Sequence, residues 1–314
     1  MNAPAKQPEL INFITWGFPD VVDFSILSSF ASCRRKGFWS HIRCLTTETS
    51  VHLHAGAAYA SALKELRHAY YTDKVDLDTA IRRGFVALTK AYGSYDPPLD
   101  AAKSWLNMVH SFLAYVRYYP LDTDLYVPHE IGGKKCIEFS FAIPLPILHP
   151  ITKQPLIFAG RADMIATDGT SLMLVDDKTT GQMGATWPEQ WQMRGQFPGY
   201  LWAAQQYGFH CHGVLVRGVS IQKTQTKHLQ VPVHFAQWQI DRWYEDLIQR
   251  TQHYIWCHEN NFWPVDGEFN NKCADYGGCA FRLLCTSPDP ESWTSKFIVH
   301  RWNPLAGDMP DASN

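Results

Sequence analysis

Between Leu156 and Gly181 the chain reads LIFAGRADMIATDGTSLMLVDDKTTG, and this stretch restricts the fold more than any other. Two apolar runs, Leu156–Thr167 and Ser171–Thr179, flank Asp168-Gly169, a dipeptide suited to the positive φ angles of a tight turn. The expectation is a β-hairpin whose strands are apolar enough to lie in a core. Yet Asp163 falls within the first strand, and Asp176, Asp177 and Lys178 end the second, beside Leu172, Met173, Leu174 and Val175. Charge in such surroundings is costly unless it is paired or binds a metal. A divalent cation held by Asp163 and Asp176, with Lys178 beside a metal-bound water, is one explanation. A solvated hairpin end with an Asp–Lys ion pair is the other.

With 314 residues the chain can hold one large domain or two ordinary ones and bury a substantial core. Hydrophobic residues make 46% and charged residues 18%, which excludes a disordered chain. Met1–Gly17 has no positively charged start leading into an apolar run, and no stretch of about 18 apolar residues occurs. Neither a signal peptide nor a membrane span is indicated, and the expected location is the cytoplasm. A net charge of −2 provides no global basic field for nucleic acid, so any such contact is local. Arg34-Arg35-Lys36, Arg82-Arg83 and Lys134-Lys135 are the basic clusters, each as readily a solvated face.

Eight cysteines in a cytoplasmic chain argue for thiols that pack or bind metal rather than for disulfides. Cys273, Cys279 and Cys285 are separated by two gaps of five residues, with Gly277-Gly278 letting the backbone turn back. Such a loop can wrap a metal cluster, but three sulfurs leave one of the usual four positions to be filled from elsewhere. Buried thiols that bind nothing are the alternative.

In chain order, Asp23 can cap a helix from Phe24 to Ile42, with Ile26, Leu27, Phe30 and Phe38 at helical spacing. Helices are predicted over Leu53–Tyr71, Leu77–Tyr92 and Ala101–Tyr119, punctuated by Pro97-Pro98 and Pro120. Strands follow over Leu125–Ile131 and Cys136–Leu145, then the hairpin. Thr186–Tyr207 reads as a helix with Gln196 and Tyr200 on one face, bent or started late by Pro198. Strands at Gly213–Gln222 and Leu229–Phe235 precede a helix over Ala236–Asn260, and Thr286–Asn314 is expected to lie over the surface or fray. Most of the twelve tryptophans and fourteen tyrosines fall at core periods, so they are no base-stacking signal by themselves.

Gly160-Arg161-Ala162-Asp163, then Asp176-Asp177-Lys178, then Gln196 and Tyr200, resemble the nuclease core of the PD-(D/E)XK superfamily, in particular its RecB-like branch. The resemblance implies an α/β fold: a mixed central sheet flanked by helices, an N-terminal helical block (20–120), a nuclease core (121–260) and a cysteine loop with its tail (261–314), all one domain. It implies that Asp163 and Asp176 bind Mg²⁺ or Mn²⁺, that the Asp177 backbone carbonyl assists, that Lys178 helps activate water, and that Gln196 and Tyr200 bind substrate near the scissile phosphate. Ser25-x-Leu27-x-x-Phe30-x-x-Cys33-Arg34-Arg35 resembles the first element of iron–sulfur nucleases of this branch, such as the AddB subunit and the CRISPR adaptation nucleases. There Cys33 joins Cys273, Cys279 and Cys285 on a 4Fe–4S cluster, with Cys44 and Cys257 as substitutes for Cys33. The first gap among the last three cysteines is wider than that pattern, which leaves Zn²⁺ or no metal open. The implied function is a metal-dependent DNA nuclease, an exonuclease in recombination, repair or phage DNA processing, with DNA and a helicase or recombination protein as partners. A catalytically silent DNA-binding or scaffold protein with a structural Fe–S or Zn site is the alternative.

One element of that branch is missing. Its metal-binding His, four residues after a helical Gly, corresponds to Ala60, since Gly56 is the glycine. His54, six residues away, faces elsewhere on a helix. Glu138 is the candidate third carboxylate, or else a solvent-facing strand residue. The expectation is a site tuned to a single Mg²⁺ or Mn²⁺.

Overall fold

The computed structural model describes residues 17–47, 51–93, 95, 97, 101–274 and 278–305. The start of the chain, Pro98, Gly277 and the end of the tail, all invoked above, lie outside the described residues. β1 (Val21–Val22), α1 (Phe24–Ser32), α2 (Arg34–Gly37), β2 (Leu45–Thr46), α3 (Val51–Arg67), α4 (Leu77–Tyr92) and α5 (Trp105–Tyr118) come first. β3 (Val127–Pro128), β4 (Glu130–Ile131), β5 (Lys134–Lys135), β6 (Ile137–Leu148), β7 (Pro155–Thr167) and β8 (Leu172–Thr180) follow. α6 (Gln196–Gln206), β9 (Cys211–Ile221), β10 (Thr226–His234), α7 (Gln237–Glu259), α8 (Arg282–Thr286) and β11 (Ile298–Val299) complete the order. They form two compact units, one from residues 1–47, 144–158 and 247–314, the other from 48–143 and 159–246.

The second unit is built on β7, β8, β9 and β10, side by side in that order, with β3 and β6 also paired to β7. β7 and β8 run antiparallel, β8 and β9 parallel, β9 and β10 antiparallel, so the sheet is mixed. A parallel pair needs a crossover, and α6, packed on β9, supplies it. Alternation along β9 sorts its two faces. Val219 and Ile221 join Tyr59, Leu63, Phe112 and Tyr115 of α3 and α5 in one core. Gly218, next to Val219, points to the other face, where a Cβ would lie 2.2 Å from the Trp187 ring. Helices therefore flank both faces of a mixed sheet, as the sequence suggests.

The hairpin turns as predicted. Asp168 Oδ1 accepts the backbone N–H groups of Thr170 and Ser171, at 2.9 and 2.8 Å, and Gly169 adopts φ +91°. The helix predicted over Thr186–Tyr207 does not form before Gln196. Its apparent apolar period comes from Trp187 and Trp191, both buried, which lie in an irregular segment against each other with centroids 5.0 Å apart. α6 starts where Pro198 becomes its third residue, a position whose missing N–H would have had no partner inside the helix. The strand predicted at Leu125–Ile131 is two short pieces, β3 and β4, and α5 begins at Trp105 rather than Ala101.

In the first unit the long helix predicted from Phe24 to Ile42 is interrupted. Asp23 caps α1 through the Ile26 N–H at 2.7 Å, but Cys33 is extended, with φ −168° and ψ 120°, and the chain restarts as α2 followed by a π-helical turn over Phe38–Ile42. The break lets α2 fold against α1. A Cβ on Gly37 would lie 2.9 Å from the Phe30 Cα. The described tail does not fray. β11 pairs with β2, Arg43 holds Glu291 at 2.5 and 2.8 Å, and the Trp302 indole donates to Asp23 Oδ2 at 2.8 Å.

Candidate active site

β7 and β8 keep antiparallel register from Thr167↔Leu172 to Met164↔Val175. The next residues are Asp163 and Asp176. There the Asp163 side chain takes over, its Oδ2 accepting the Asp177 N–H at 2.7 Å. Alternation on β8 then divides the triplet. Asp176, 2% exposed, holds the Lys178 ammonium at 2.5 Å. Asp177 points to the helical face, where Arg67 of α3 lies 2.6 Å from Oδ2, and Tyr115 of α5 donates to Oδ1 at 2.7 Å. Arg67 also donates to the Tyr115 hydroxyl at 2.9 Å, closing a buried triangle.

Burial raises the pKa of Asp163 to about 7, and Asp176 and Asp177 nearby push the same way against Lys178. Burial likewise raises Asp176, against Lys178 and Arg194, which favour its charge. Burial opposes the charge of Arg67, but Asp177, Tyr115 and Asp163 outweigh it, and its pKa lies above the usual guanidinium value. The residues form two groups: Asp163, Asp176 and Lys178, and a clamp of Arg67, Tyr115 and the Asp177 carboxylate.

Gly160 is explained by packing. A Cβ there would lie 2.6 Å from the tip of the Phe141 ring, and that ring meets Tyr200 edge-on at 6.0 Å. Gln196 and Tyr200 lie one turn apart on α6, the amide donating to the phenol at 2.6 Å. Ala60 faces a small pocket shared with Leu63, Lys64, Arg67, Glu138, Asp163 and Asp177. His54 is engaged elsewhere, against the Tyr92 carbonyl at 2.8 Å and stacked on Tyr95. Glu138 is no solvent-facing strand residue. It lines the pocket and is ion-paired with Lys64.

Arg67, Tyr115, Arg194, Lys64 and Lys103 belong to the site without having been singled out in the sequence. Lys103 is 2% exposed, donates to Thr179 Oγ1 at 3.2 Å and has its pKa lowered to about 8 by burial. Each is an isolated cation or phenol in a helix or loop, with a partner far away in sequence. No local pattern marks them.

Among the described residues no group of three or more His, Cys, Asp or Glu stands ready around a metal ion. The donor set nonetheless suits one hard divalent cation. Asp163 and Asp176 are oxygen donors whose charge burial opposes and a bound ion would favour, and the remaining positions of such an ion are commonly filled by carbonyl, water and substrate phosphate.

In the first unit, Cys33 lies in the break between α1 and α2, Cys273 and Cys285 lie near it, and Cys279 lies near those two. Burial raises Cys273, and Cys279 and Cys33 raise it further. Burial takes Cys285 to about 11, eased by Trp39 and Arg35 and increased by Cys279 and Cys33. The Cys279 N–H bonds the Cys273 carbonyl at 3.0 Å across the loop, Gly278 has φ +107°, and Gly267 leaves room for the Cys273 sulfur, which a Cβ would meet at 2.6 Å. Cys257 lies against Arg34 instead, and Cys44 Sγ rests on the carbonyls of His41 and Ile42. Four thiols suit a cluster or Zn²⁺ in number and softness.

The sequence profile of the PD-(D/E)XK nuclease superfamily matches residues 24–286, and the chain belongs to that superfamily. No curated protein matches it at a significant level. Among solved structures, one from Eubacterium rectale named "Putative exonuclease" is similar at 10% identity and TM-score 0.45, over 91% of this chain and 99% of that one. Another, named SSO0001, is similar at 13% identity and TM-score 0.26, over 72% of this chain and 84% of that one. No helix among the described residues is long and apolar enough to cross a membrane.

Proposed function

We propose that this chain is a Mg²⁺- or Mn²⁺-dependent DNA nuclease, an exonuclease of the RecB-like branch, acting as one nuclease domain in recombination, repair or phage DNA processing. The observation that carries this reading is the pair of half-buried Asp163 and buried Asp176 at the point where the β7–β8 register ends, with Lys178 on Asp176. A bound divalent ion would polarise the scissile phosphate and lower the pKa of a bound water. Asp163 and Asp176 would hold that ion through their carboxylates, assisted by the Asp177 carbonyl. Lys178 keeps a positive charge where the attacking oxygen becomes anionic. Gln196 and Tyr200, already hydrogen-bonded to each other, orient the phosphate, and Arg194 adds charge beside Asp176. The clamp on Asp177 keeps the triplet in register, so each side chain of β8 keeps to its own face.

Cys33, Cys273, Cys279 and Cys285 hold a structural 4Fe–4S cluster in this reading, or Zn²⁺ in its place, tying residue 33 to the loop at 273–285. The test of activity is degradation of linear single- and double-stranded DNA after anaerobic purification, with Mg²⁺ or Mn²⁺ and with a chelator. Divalent-dependent loss of DNA supports the reading, and intact DNA with both ions overturns it. Brown protein containing iron, colourless in Cys33→Ser, supports the cluster. Zinc without iron assigns the other metal.

A further inference from the structure

Lys64 stands one helical turn beyond Ala60 on α3, and both line the small pocket shared with Arg67, Glu138, Asp163 and Asp177. Its ammonium is ion-paired with Glu138 Oε2, and Arg161 is a second, more distant partner of that carboxylate at 3.7 Å. Glu138 is 16% exposed at its side chain and has φ +53°, a left-handed backbone that a residue other than glycine adopts only where its surroundings impose it. The strained position brings a third carboxylate to the pocket, yet a cation of the chain itself already occupies it.

Charge decides what else the pocket accepts. Its three carboxylates, Glu138, Asp163 and Asp177, are set against Lys64 and Arg67, with Arg161 also 3.7 Å from Glu138, which leaves no net negative charge. One divalent ion makes the pocket positive. A second ion would have to enter a pocket already positive, displace Lys64 from Glu138 and lie near Arg67 with little water to screen it. Two-metal sites use the second ion as a clamp on the leaving oxygen.

We propose that Lys64 is a built-in cation that occupies Glu138 and limits the site to one divalent metal ion. This rests on the nuclease reading of Asp163 and Asp176. Lys64 is a positioning residue that acts through Glu138, and it sets the metal count rather than the chemistry of the first ion. At 40% side-chain exposure it can be replaced without opening the core.

The experiment counts Mn²⁺ bound per chain in the purified full-length protein by equilibrium dialysis and electron paramagnetic resonance. Asp163→Asn provides the background to be subtracted, and thermal melting checks that each variant is folded. The wild type is expected to bind one Mn²⁺ that Asp163→Asn loses. Lys64→Met, and independently Lys64→Gln, should bind two, and Lys64→Met with Glu138→Gln should return to one. A wild type that binds two ions, or both Lys64 variants still binding one, overturns the role of Lys64 while leaving the metal site in place. A wild type indistinguishable from Asp163→Asn overturns the metal site and the proposal with it.

Discussion

Arg67→Met would remove the centre of the clamp on Asp177, and its cost follows from burial. The side chains of Arg67 and Asp177 are 3% and 8% exposed, and Tyr115 is 1% exposed. Removing one member of a buried ion pair leaves the other charge uncompensated, a loss of about 3–5 kcal/mol. Set against a typical total of about 5–15 kcal/mol, that is a large fraction of the stability of a domain. Tyr115→Phe removes the hydroxyl's hydrogen bonds to Asp177 and from Arg67 and should cost about 1.5–3 kcal/mol, since the Arg67–Asp177 pair remains. Replacing both charges, as in Arg67→Met with Asp177→Leu, should recover most of the single-mutant loss, because no charge is then left unpaired. Urea unfolding followed by circular dichroism reads all three, with the slope checked for constancy. A loss below about 1 kcal/mol for Arg67→Met, or a double variant no more stable than the single one, would refute the assignment of Asp177 to the clamp.

Other expectations follow from the same geometry. Gly160→Ala should destabilise the protein by about 1–3 kcal/mol, because the new methyl group meets the buried Phe141 ring at 2.6 Å, and unchanged stability in a melting experiment would remove that explanation of the glycine. Asp163 and Asp176 both have folded pKa values above the usual carboxylate range, so in the metal-free protein this pair binds more protons folded than unfolded between about pH 4 and about pH 7, while His41, held down to about 4 by burial, works the opposite way. The pair's contribution to stability should therefore fall as pH rises through that window, and Asp163→Asn should shift the slope of stability against pH to more positive values; an unaltered slope in that variant contradicts the assignment. Lys178→Ala should lower turnover at saturating metal more than it lowers Mn²⁺ affinity, because an ammonium beside the water acts on developing charge and ligates nothing. A variant that loses Mn²⁺ binding but keeps turnover reverses that role.

The hairpin could be read in the sequence because its chemistry is local: Asp168 bonds the N–H groups of its own turn, and Gly169 supplies the positive φ. α4 has the predicted limits, Leu77–Tyr92, for the same reason, since Asp76 caps it through Thr79 at 2.9 Å. The acids on the hairpin were conspicuous because strands this apolar rarely carry charge. The partner that makes Asp177 tolerable, Arg67, is far away on α3 and looks like any exposed helical arginine until the fold is known. The break at Cys33 depends on the contact between Gly37 and Phe30, which no helical period announces. In the segment before α6, tryptophans that cover a sheet imitated the spacing of a helix. The left-handed backbone of Glu138 lies in a run of ordinary strand residues, and only tertiary packing imposes it.

The most direct test of the central claim compares cleavage of linear DNA, with saturating Mn²⁺, by the wild type, Asp163→Asn and Asp176→Asn, all of them folded by circular dichroism. The account predicts metal-dependent cleavage by the wild type and none by either variant, since each lacks an anionic ligand that a hard cation requires. Wild-type rates from either asparagine variant would contradict it.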